Sequence, residues 1–205
     1  MTNFSISFRS ALSQPSIYRL FNRMIGVNRF RHLYVNQYIC PKHGDSILDI
    51  GCGPADILEH LSDVTYIGFD SNSAYIDSAK KNFSTRGAFF CDKVSEAVIS
   101  ENDFFDIVLA NGILHHLEDA EAIDLFKLAF KALKPGGRII THDGCYTPTQ
   151  SLASRYLLSK DRGTHVRTYD AYLKLASMFF THVHATLHEN LLRIPYTHII
   201  LECQK

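Results

Sequence analysis

The sequence has no excess of charge of either sign. Its 205 residues include 21 lysines and arginines against 21 aspartates and glutamates, so the formal net charge is zero. Proteins that bind duplex nucleic acid normally present a strongly basic face to the phosphates. The charge balance therefore argues against a nucleic-acid partner.

Long apolar runs and a disulfide framework are also missing. No run approaches the roughly 20 residues of a membrane span, and the first thirty residues lack the apolar core of a signal peptide. The five cysteines are scattered and odd in number, which favours reduced thiols, and Cys40 and His43 form a lone pair with no second pair to complete a metal site. We expect one cytoplasmic domain spanning residues 1–205, with no membrane span and no metal.

Residues 46–56 read Ser-Ile-Leu-Asp-Ile-Gly-Cys-Gly-Pro-Ala-Asp. The apolar first half predicts a strand buried on both faces of a parallel sheet. Gly51 and Gly53 predict a tight turn whose backbone a ligand can approach, and the apolar pattern of residues 57–61 predicts a helix directly after it. Two glycines alone would fit a plain turn equally well.

A second apolar strand, residues 64–69, ends in Asp70 about twenty residues after the start of the first strand. A carboxylate at that place can accept hydrogen bonds from both hydroxyls of a ribose, which favours a ligand that contains adenosine. The alternative is that Asp70 caps the next helix, although Ser71, Asn72 and Ser73 could also cap it.

The third glycine of the dinucleotide fingerprint is absent, because Asp56 stands in its place and would repel a pyrophosphate. Asp49, Gly51 and Gly53 instead match the Asp/Glu-x-Gly-x-Gly motif of class I S-adenosylmethionine-dependent methyltransferases. The Leu-Lys-Pro-Gly-Gly segment at residues 133–137 is a second hallmark of that class. The chain resembles these enzymes over most of its length, with Ala55 where many members have a further glycine.

The resemblance implies an α/β fold: a doubly wound, Rossmann-like sheet of seven mostly parallel strands with an antiparallel C-terminal pair. We predict that residues 179–187 and 196–202 form this pair, and that residues 104–110 and 138–142 form the fourth and fifth strands. The resemblance also implies S-adenosylmethionine as cofactor. Residues 1–40 would form a helical lid over it, or would only cover one edge of the sheet.

The cofactor residues implied by the resemblance follow the ends of the predicted strands, apart from those in the lid. In the lid, Tyr18, Arg29 and Arg31 are candidates for contact with the methionine carboxylate. Asp92 would bond the adenine amino group, or would cap a short helix at residues 95–99. The complete predicted set is Asp49, Gly51, Cys52, Gly53, Asp70, Ser71, Asp92, Lys93, Val94, Asn111, Tyr18 and Arg31.

His115 and His116 follow the fourth predicted strand, and Asp143 follows the fifth. An imidazole held by a carboxylate is a standard base near neutral pH. Relatives that methylate hydroxyls use such a pair, so the resemblance implies catalysis by His115 or His116 with Asp143. The alternative is a structural role for both histidines. The Asn-Pro-Pro-Tyr signature of adenine N6 methylation is absent after Ala110.

The acceptor wall is predicted from aromatic and basic residues of the C-terminal third, namely Tyr146, Arg162, Arg167, Tyr169 and Tyr196. Arginines near a cleft suit an anionic or hydroxyl-rich small molecule, although these arginines could equally pair with surface acids. The sequence thus predicts methylation of a small molecule, most simply at a hydroxyl. Methylation at nitrogen or carbon, and a non-catalytic binding module, are the alternatives, and the oligomeric state stays open.

Overall fold

The computed structural model describes residue 20 and residues 23–94, 104–161 and 163–205. The helices are α1 (Val27–Tyr34), α2 (Ser73–Phe83), α3 (Asp119–Ala132), α4 (Leu152–Ser159) and α5 (Tyr169–Ala176). The strands are β1 (Ser46–Ile50), β2 (Thr65–Phe69), β3 (Ala88–Phe90), β4 (Phe105–Asn111), β5 (Leu133–Tyr146), β6 (Arg167–Thr168), β7 (His182–His188) and β8 (His198–Gln204).

Seven strands form one sheet in the order β3-β2-β1-β4-β5-β8-β7, and the two-residue β6 pairs beside the end of β5. Strands β1 to β5 pair in parallel, whereas β8 is antiparallel to both β5 and β7. The predicted fold class is confirmed. The order runs outward from β1 in both directions, so the carboxyl ends of β1 and β4 border the crevice where ligands of doubly wound sheets bind.

Strand β1 is buried on both faces, as its apolar sequence predicts. Leu48 and Ile50 belong to the core that α3 and α5 cover, whereas Ile47 belongs to the core that α1 and α2 cover. The last turn of the N-terminal helix is π-helical, from Val35 to Ile39. Because apolar side chains of β1 point into both cores, the strand is held firmly between them. The glycine turn therefore starts from a fixed position.

The prediction of a helix after the glycine turn is wrong. The structure has only a 3-10 turn there, from Asp56 to Glu59. Ala55 before it and Asp63 after it both have positive φ, 56° and 53°, which ends a right-handed helix on either side. The seven residues between them could form at most about two turns of α-helix.

Strand β5 is longer than predicted, because Leu-Lys-Pro-Gly-Gly continues into the strand. Asp143 therefore lies inside the strand, paired with Ile199 of β8, and does not follow its end. The short helix predicted at residues 95–99, and most of residues 1–40, lie outside the described residues. Within the described ranges, no helix is both long enough and apolar enough to cross a membrane.

Candidate active site

A cavity of about 720 Å³ opens at the carboxyl ends of β1, β2 and β4. Eight of the predicted cofactor residues line it: Gly51, Gly53, Asp70, Ser71, Asp92, Lys93, Val94 and Asn111. Residues between 121 and 128 of α3 complete the lining. The cavity lies where the order of the strands reverses about β1, as ligand sites of this architecture do.

The glycine turn is fastened to the neighbouring strand. The backbone N–H groups of Gly51 and Cys52 both donate to the carbonyl of Phe69, at 2.8 and 2.9 Å. Gly51 has φ +75°, and a Cβ there would come within 2.9 Å of Cδ1 of Ile113. Gly53 has φ +55°, and a Cβ there would meet no protein atom within 4 Å. The space beside Gly53 is therefore open to a ligand.

Asp70 joins the glycine turn to the start of α2. Its Oδ2 accepts from the N–H of Gly53 at 2.9 Å, and its Oδ1 accepts from the N–H of Asn72 at 2.8 Å. The N-cap of α2 is Asn72, whose side chain accepts from Ala74 N–H, so Asp70 is not the cap. An ionised carboxylate accepts about four hydrogen bonds, which leaves capacity on both oxygens for a ribose diol.

Asp49 lies beneath the turn and does not line the cavity. It is 2% exposed, and Tyr66 Oη donates to its Oδ2 at 2.6 Å. Burial raises the pKa of Asp49 to about 7, with the Tyr66 hydrogen bond acting in the opposite direction and the nearby charge of Asp70 adding to the rise. Its Oδ1 has no hydrogen-bond partner among the described residues. A cationic ligand above the turn would compensate this carboxylate.

Three other predicted cofactor residues lie elsewhere. Cys52 is partly buried, with its Sγ packed against Gly68 of β2. Arg31 on α1 forms an ion pair with Asp56, 3.4 Å between Nη2 and Oδ2, which places its charge at the end of the glycine turn. Tyr18 lies outside the described residues.

Tyr34 is a site residue that the sequence analysis missed. It is 1% exposed, and its hydroxyl donates to Oδ1 of Asn111 at 2.6 Å. Asn111 lines the cavity, so α1 reaches the site through this tyrosine. In the sequence, Tyr34 looks like any other apolar position of an amphipathic helix, and no signal separates it from the core.

The structure brings His115 and Asp143 together. His115 Nδ1 lies 2.7 Å from Asp143 Oδ1, and the backbone N–H of His115 donates to the same oxygen at 3.1 Å. The other ring nitrogen, Nε2, lies 3.3 Å from Oδ1 of Asp161, a residue that was not predicted for the site. Burial alone would lower the pKa of His115, but the two carboxylates raise it to about 9. Burial raises the pKa of Asp143, and the contacts with His115 oppose that rise.

His116 has a different environment from His115. It is exposed and lines the cavity, and its ring centroid lies 4.2 Å from that of His115. Both histidines belong to the 3-10 turn Leu114–His116 that follows β4. The turn therefore directs one imidazole into the protein and the other towards the cavity.

Arg167, predicted for the acceptor wall, has no donor left for a ligand. Its five N–H groups donate to the carbonyls of Leu114, Leu117 and His165 and, twice, to Oδ1 of Asp119, at 2.7–3.2 Å. The side chain is 8% exposed. The assignment to the wall is corrected here: Arg167 fastens the turn after β4 to the start of α3.

Of the other predicted wall residues, the three that the structure describes do not line the cavity. Tyr196 donates through its hydroxyl to Oδ2 of Asp161 at 2.6 Å. The ring of Tyr146 lies beneath the guanidinium of Arg155, and Tyr169 packs against the core. Arg162 lies outside the described residues. Across the described part of the chain, no three histidine, cysteine or acidic side chains are grouped as a metal site.

The sheet order and the ligand crevice define a Rossmann-like domain, and solved structures share this fold. The pyocyanin biosynthetic protein PhzM superimposes with a TM-score of 0.71 at 18% identity, over 97% of this chain and 62% of PhzM. Phosphoethanolamine N-methyltransferase 2 of Haemonchus contortus, in complex with phosphomonomethylethanolamine and S-adenosylhomocysteine, gives 0.68 at 16% identity, over 85% of this chain and 52% of that one. At these identities the likeness shows the fold alone.

Residues 47–137 match the family model of the methyltransferase domain. The match covers 91 of the 205 residues and includes the glycine turn, Asp70 and the turn that carries His115 and His116. It is 28% identical to phosphoethanolamine N-methyltransferase 1 of Triticum aestivum over 142 residues, which cover 65% of this chain and 28% of that protein. It is 30% identical to the ubiquinone biosynthesis O-methyltransferase of Brucella ovis over 126 residues, which cover 54% of this chain and 50% of that protein. The chain thus spans less than a third of the wheat protein.

Proposed function

We propose that this protein transfers a methyl group from S-adenosylmethionine to a small-molecule acceptor. The observation that carries the proposal is the joint geometry of the glycine turn and Asp70. Gly53 leaves open space beside a backbone that carries no Cβ, and Asp70, bonded to the N–H of Gly53, keeps acceptor capacity on both oxygens.

The residues of the cavity fit this cofactor. Asp70 would accept from the ribose hydroxyls, and Asp92 from the adenine amino group. A cationic ligand above the turn would favour the ionised form of Asp49, whose Oδ1 has no hydrogen-bond partner among the described residues. When bound, the cofactor supplies a methyl group on a sulfonium, which makes the carbon electrophilic. The protein then has to align the acceptor with that carbon and accept its proton.

For the acceptor we propose a hydroxyl, with His116 as the base. A base needs a ring nitrogen that a substrate proton can reach. His116 lines the cavity, whereas both ring nitrogens of His115 already lie within hydrogen-bond reach of carboxylates. The role of Asp143 in this proposal is to hold the ring of His115. Asp143 also accepts from the backbone N–H of His115 and so holds the turn that carries both histidines.

Methylation of an amine nitrogen is the second candidate, favoured by the similarity to phosphoethanolamine N-methyltransferases. A free amine carries its own lone pair, so a base matters less once the amine is deprotonated. The two candidates therefore differ in what loss of His116 does. An aliphatic hydroxyl needs the base at every pH, whereas raising the pH should rescue the transfer to an amine.

Calorimetry and a transfer assay test the proposal. We expect purified protein to bind S-adenosylmethionine, and Asp70→Asn to weaken that binding at least about tenfold, because an amide accepts fewer hydrogen bonds than a carboxylate. Transfer of labelled methyl groups to a library of small hydroxyl and amine compounds should fall about 10²–10⁴-fold in His116→Gln, with cofactor affinity unchanged.

Asp77→Asn, on the exposed face of α2, is the matched control and should bind and turn over as the unmodified protein does. Folded protein that binds no S-adenosylmethionine at millimolar concentration would refute the proposed function. Full turnover in His116→Gln would contradict the assignment of His116 as the base and would leave the proposed methyl transfer unaffected.

A further inference from the structure

Four side chains form a continuous chain of hydrogen bonds beside the cavity. Tyr196 donates to Asp161 at 2.6 Å, Asp161 lies 3.3 Å from Nε2 of His115, and Nδ1 of His115 lies 2.7 Å from Asp143. We call this set the His115 clamp. Asp143 comes from the interior of β5, whereas Asp161 comes from the loop after α4. The clamp thus ties a loop to the sheet through one imidazole.

Counting protons fixes the state of the imidazole. A neutral imidazole has one N–H, but each ring nitrogen of His115 faces a carboxylate oxygen. Asp161 is an acceptor on both oxygens, since Oδ1 also accepts from the N–H of Gly163 at 2.9 Å and Oδ2 accepts from Tyr196. Asp143 Oδ1 likewise accepts from the backbone N–H of His115. An imidazolium, which has two N–H donors, satisfies both contacts, whereas a neutral imidazole satisfies only one.

The loop that carries Asp161 is also fastened to the backbone of His115. The N–H of His165 donates to the carbonyl of His115 at 2.9 Å. Gly163 lies so close to the ring that any side chain there would clash with Cδ2 of His115. Arg167 continues the attachment by donating to the carbonyls of both His165 and Leu114. The turn after β4 is therefore fixed from the side opposite to the cavity.

We propose that Asp161 is a positioning residue for methyl transfer: it keeps His115 charged and so fixes the turn that presents His116 to the acceptor. The proposal rests on the proposed function and extends it to a residue outside the cavity. His115 then serves as a structural cation and not as a base. The ring of His116 lies directly beside this cation, 4.2 Å between the ring centroids.

The groups around His115 support a charged ring. The titratable and charged side chains around His115 are Asp143 and His142 from β5, Asp161 and His165 from the loop, Arg167 from β6, His198 from β8, Tyr196, and His116 on the same turn. The two carboxylates prevail, because burial lowers the pKa of His115 and yet it stands at about 9. The hydrogen bonds of Asp161 to His115, Gly163 and Tyr196 hold the pKa of Asp161 well below its usual range.

The stabilisation that the clamp gives to the folded protein decreases at high pH. The pKa of His115 is raised from 6.5 in the unfolded chain to about 9 in the folded protein. The clamp therefore contributes its full stabilisation below about pH 6.5, and that stabilisation is lost as the pH rises through about 9.

Histidine ring NMR of the ligand-free protein tests the proposal without any activity. With ¹³C-labelled histidine, the His115 signal is assigned by its absence in His115→Gln, and it is titrated from pH 5 to 10. We expect a charged ring at pH 7.5. Asp161→Asn should lower the pKa of His115 by about 1–3 units, the size expected for loss of an adjacent opposite charge. Asp161→Glu should restore most of it, and Asp77→Asn should leave it unchanged.

The transfer assay supplies the second measurement, on the same variants. Asp161→Asn should lower kcat at least tenfold and leave the affinity for S-adenosylmethionine unchanged, and Asp161→Glu should recover part of kcat. A neutral His115 at pH 7.5, or a titration that Asp161→Asn does not move, would overturn the clamp. A shifted titration with unchanged kcat would overturn the positioning role. Failure to bind S-adenosylmethionine would refute the proposed function and leave the titration result standing. Should Asp161→Asn fold poorly, Tyr196→Phe is the alternative variant, because it removes one hydrogen-bond donor to Asp161. It should lower the pKa of His115 by less than Asp161→Asn does.

Discussion

Replacing Asp49 by asparagine is expected to flatten the pH dependence of the unfolding free energy. Asp49 is 2% exposed, Tyr66 donates to one of its oxygens, and the described residues place no cation beside it. Burial raises its pKa from 3.8 in the unfolded chain to about 7 in the folded protein. The folded protein therefore holds the proton over a range in which the unfolded chain has lost it.

The sign and size follow from that difference. Between about pH 4 and pH 7 the folded state binds more protons than the unfolded state, so stability falls as the pH rises through this window. Each pKa unit corresponds to about 1.36 kcal/mol, so a rise of about three units gives a loss of roughly 4 kcal/mol as an upper figure. The amide of the Asp49→Asn variant has no proton to lose, and its contribution is constant across the window.

Urea unfolding of the ligand-free protein at pH 5, 6, 7 and 8 measures the effect. We expect the unfolding free energy of Asp49→Asn, minus that of the unmodified protein, to increase by about 2–4 kcal/mol from pH 5 to pH 8. The amide adds a buried donor in place of Oδ1, which subtracts about 1–3 kcal/mol at every pH. The test is therefore how the difference in unfolding free energy changes with pH, and not whether that difference is positive or negative at a single pH.

Asp77→Asn is the control for this experiment, because that carboxylate is exposed on α2 and its curve should run parallel to that of the unmodified protein. Parallel curves for Asp49→Asn as well would refute the reasoning. They would mean that the folded protein ionises Asp49 at its ordinary pKa, and that water or a conformational change compensates the buried charge.

Two further predictions concern the backbone around the site. Gly51→Ala should cost more stability than Gly53→Ala, by about 1–2 kcal/mol in thermal unfolding, because both need a left-handed φ but only the first brings a Cβ within 2.9 Å of Ile113; equal losses would contradict this. Arg167→Gln should cost about 2–4 kcal/mol in urea unfolding, since it leaves buried carbonyls of the turn after β4 without donors, whereas Asp119→Asn should cost less because that carboxylate is largely exposed. A loss below about 0.5 kcal/mol for Arg167→Gln would show that water replaces the guanidinium.

Much of the fold could be predicted because parallel strands buried on both faces appear as short apolar runs between turn residues. Residues 46–50 and 104–110 are such runs, and β1 and β4 lie within one residue of them. The helix after the glycine turn could not be predicted correctly. The apolar pattern of residues 57–61 fits a helix, but the left-handed conformations of Ala55 and Asp63 depend on the short connection to β2.

The glycine turn and the His115 clamp differ in how much of each could be predicted from the sequence. The glycine turn and Asp70 were accessible, because their chemistry follows from residue type and from position at the end of a strand. Of the His115 clamp, the pairing of a histidine with Asp143 was predicted from the ends of neighbouring strands. Asp161 was not predicted, because it contacts Tyr196 across 35 residues of sequence and reaches His115 from a loop of irregular structure. Arg167 shows the opposite failure: a basic residue near aromatic ones suggested a ligand, but backbone and side-chain acceptors already use all of its donors.

The charges of the site also divide between the two halves, and the division bears on the proposed reaction. Around the glycine turn, the described residues leave the Asp49 carboxylate without a cation, so the ligand would have to supply the positive charge. Around the histidine turn, His115 already carries a positive charge between two carboxylates. A sulfonium is attracted to the first half and loses its charge when the methyl group leaves, whereas the proton released by the acceptor would arrive at His116 beside a fixed cation. Each transfer would deliver one proton to His116, so that proton has to pass to water before the ring can act as a base again.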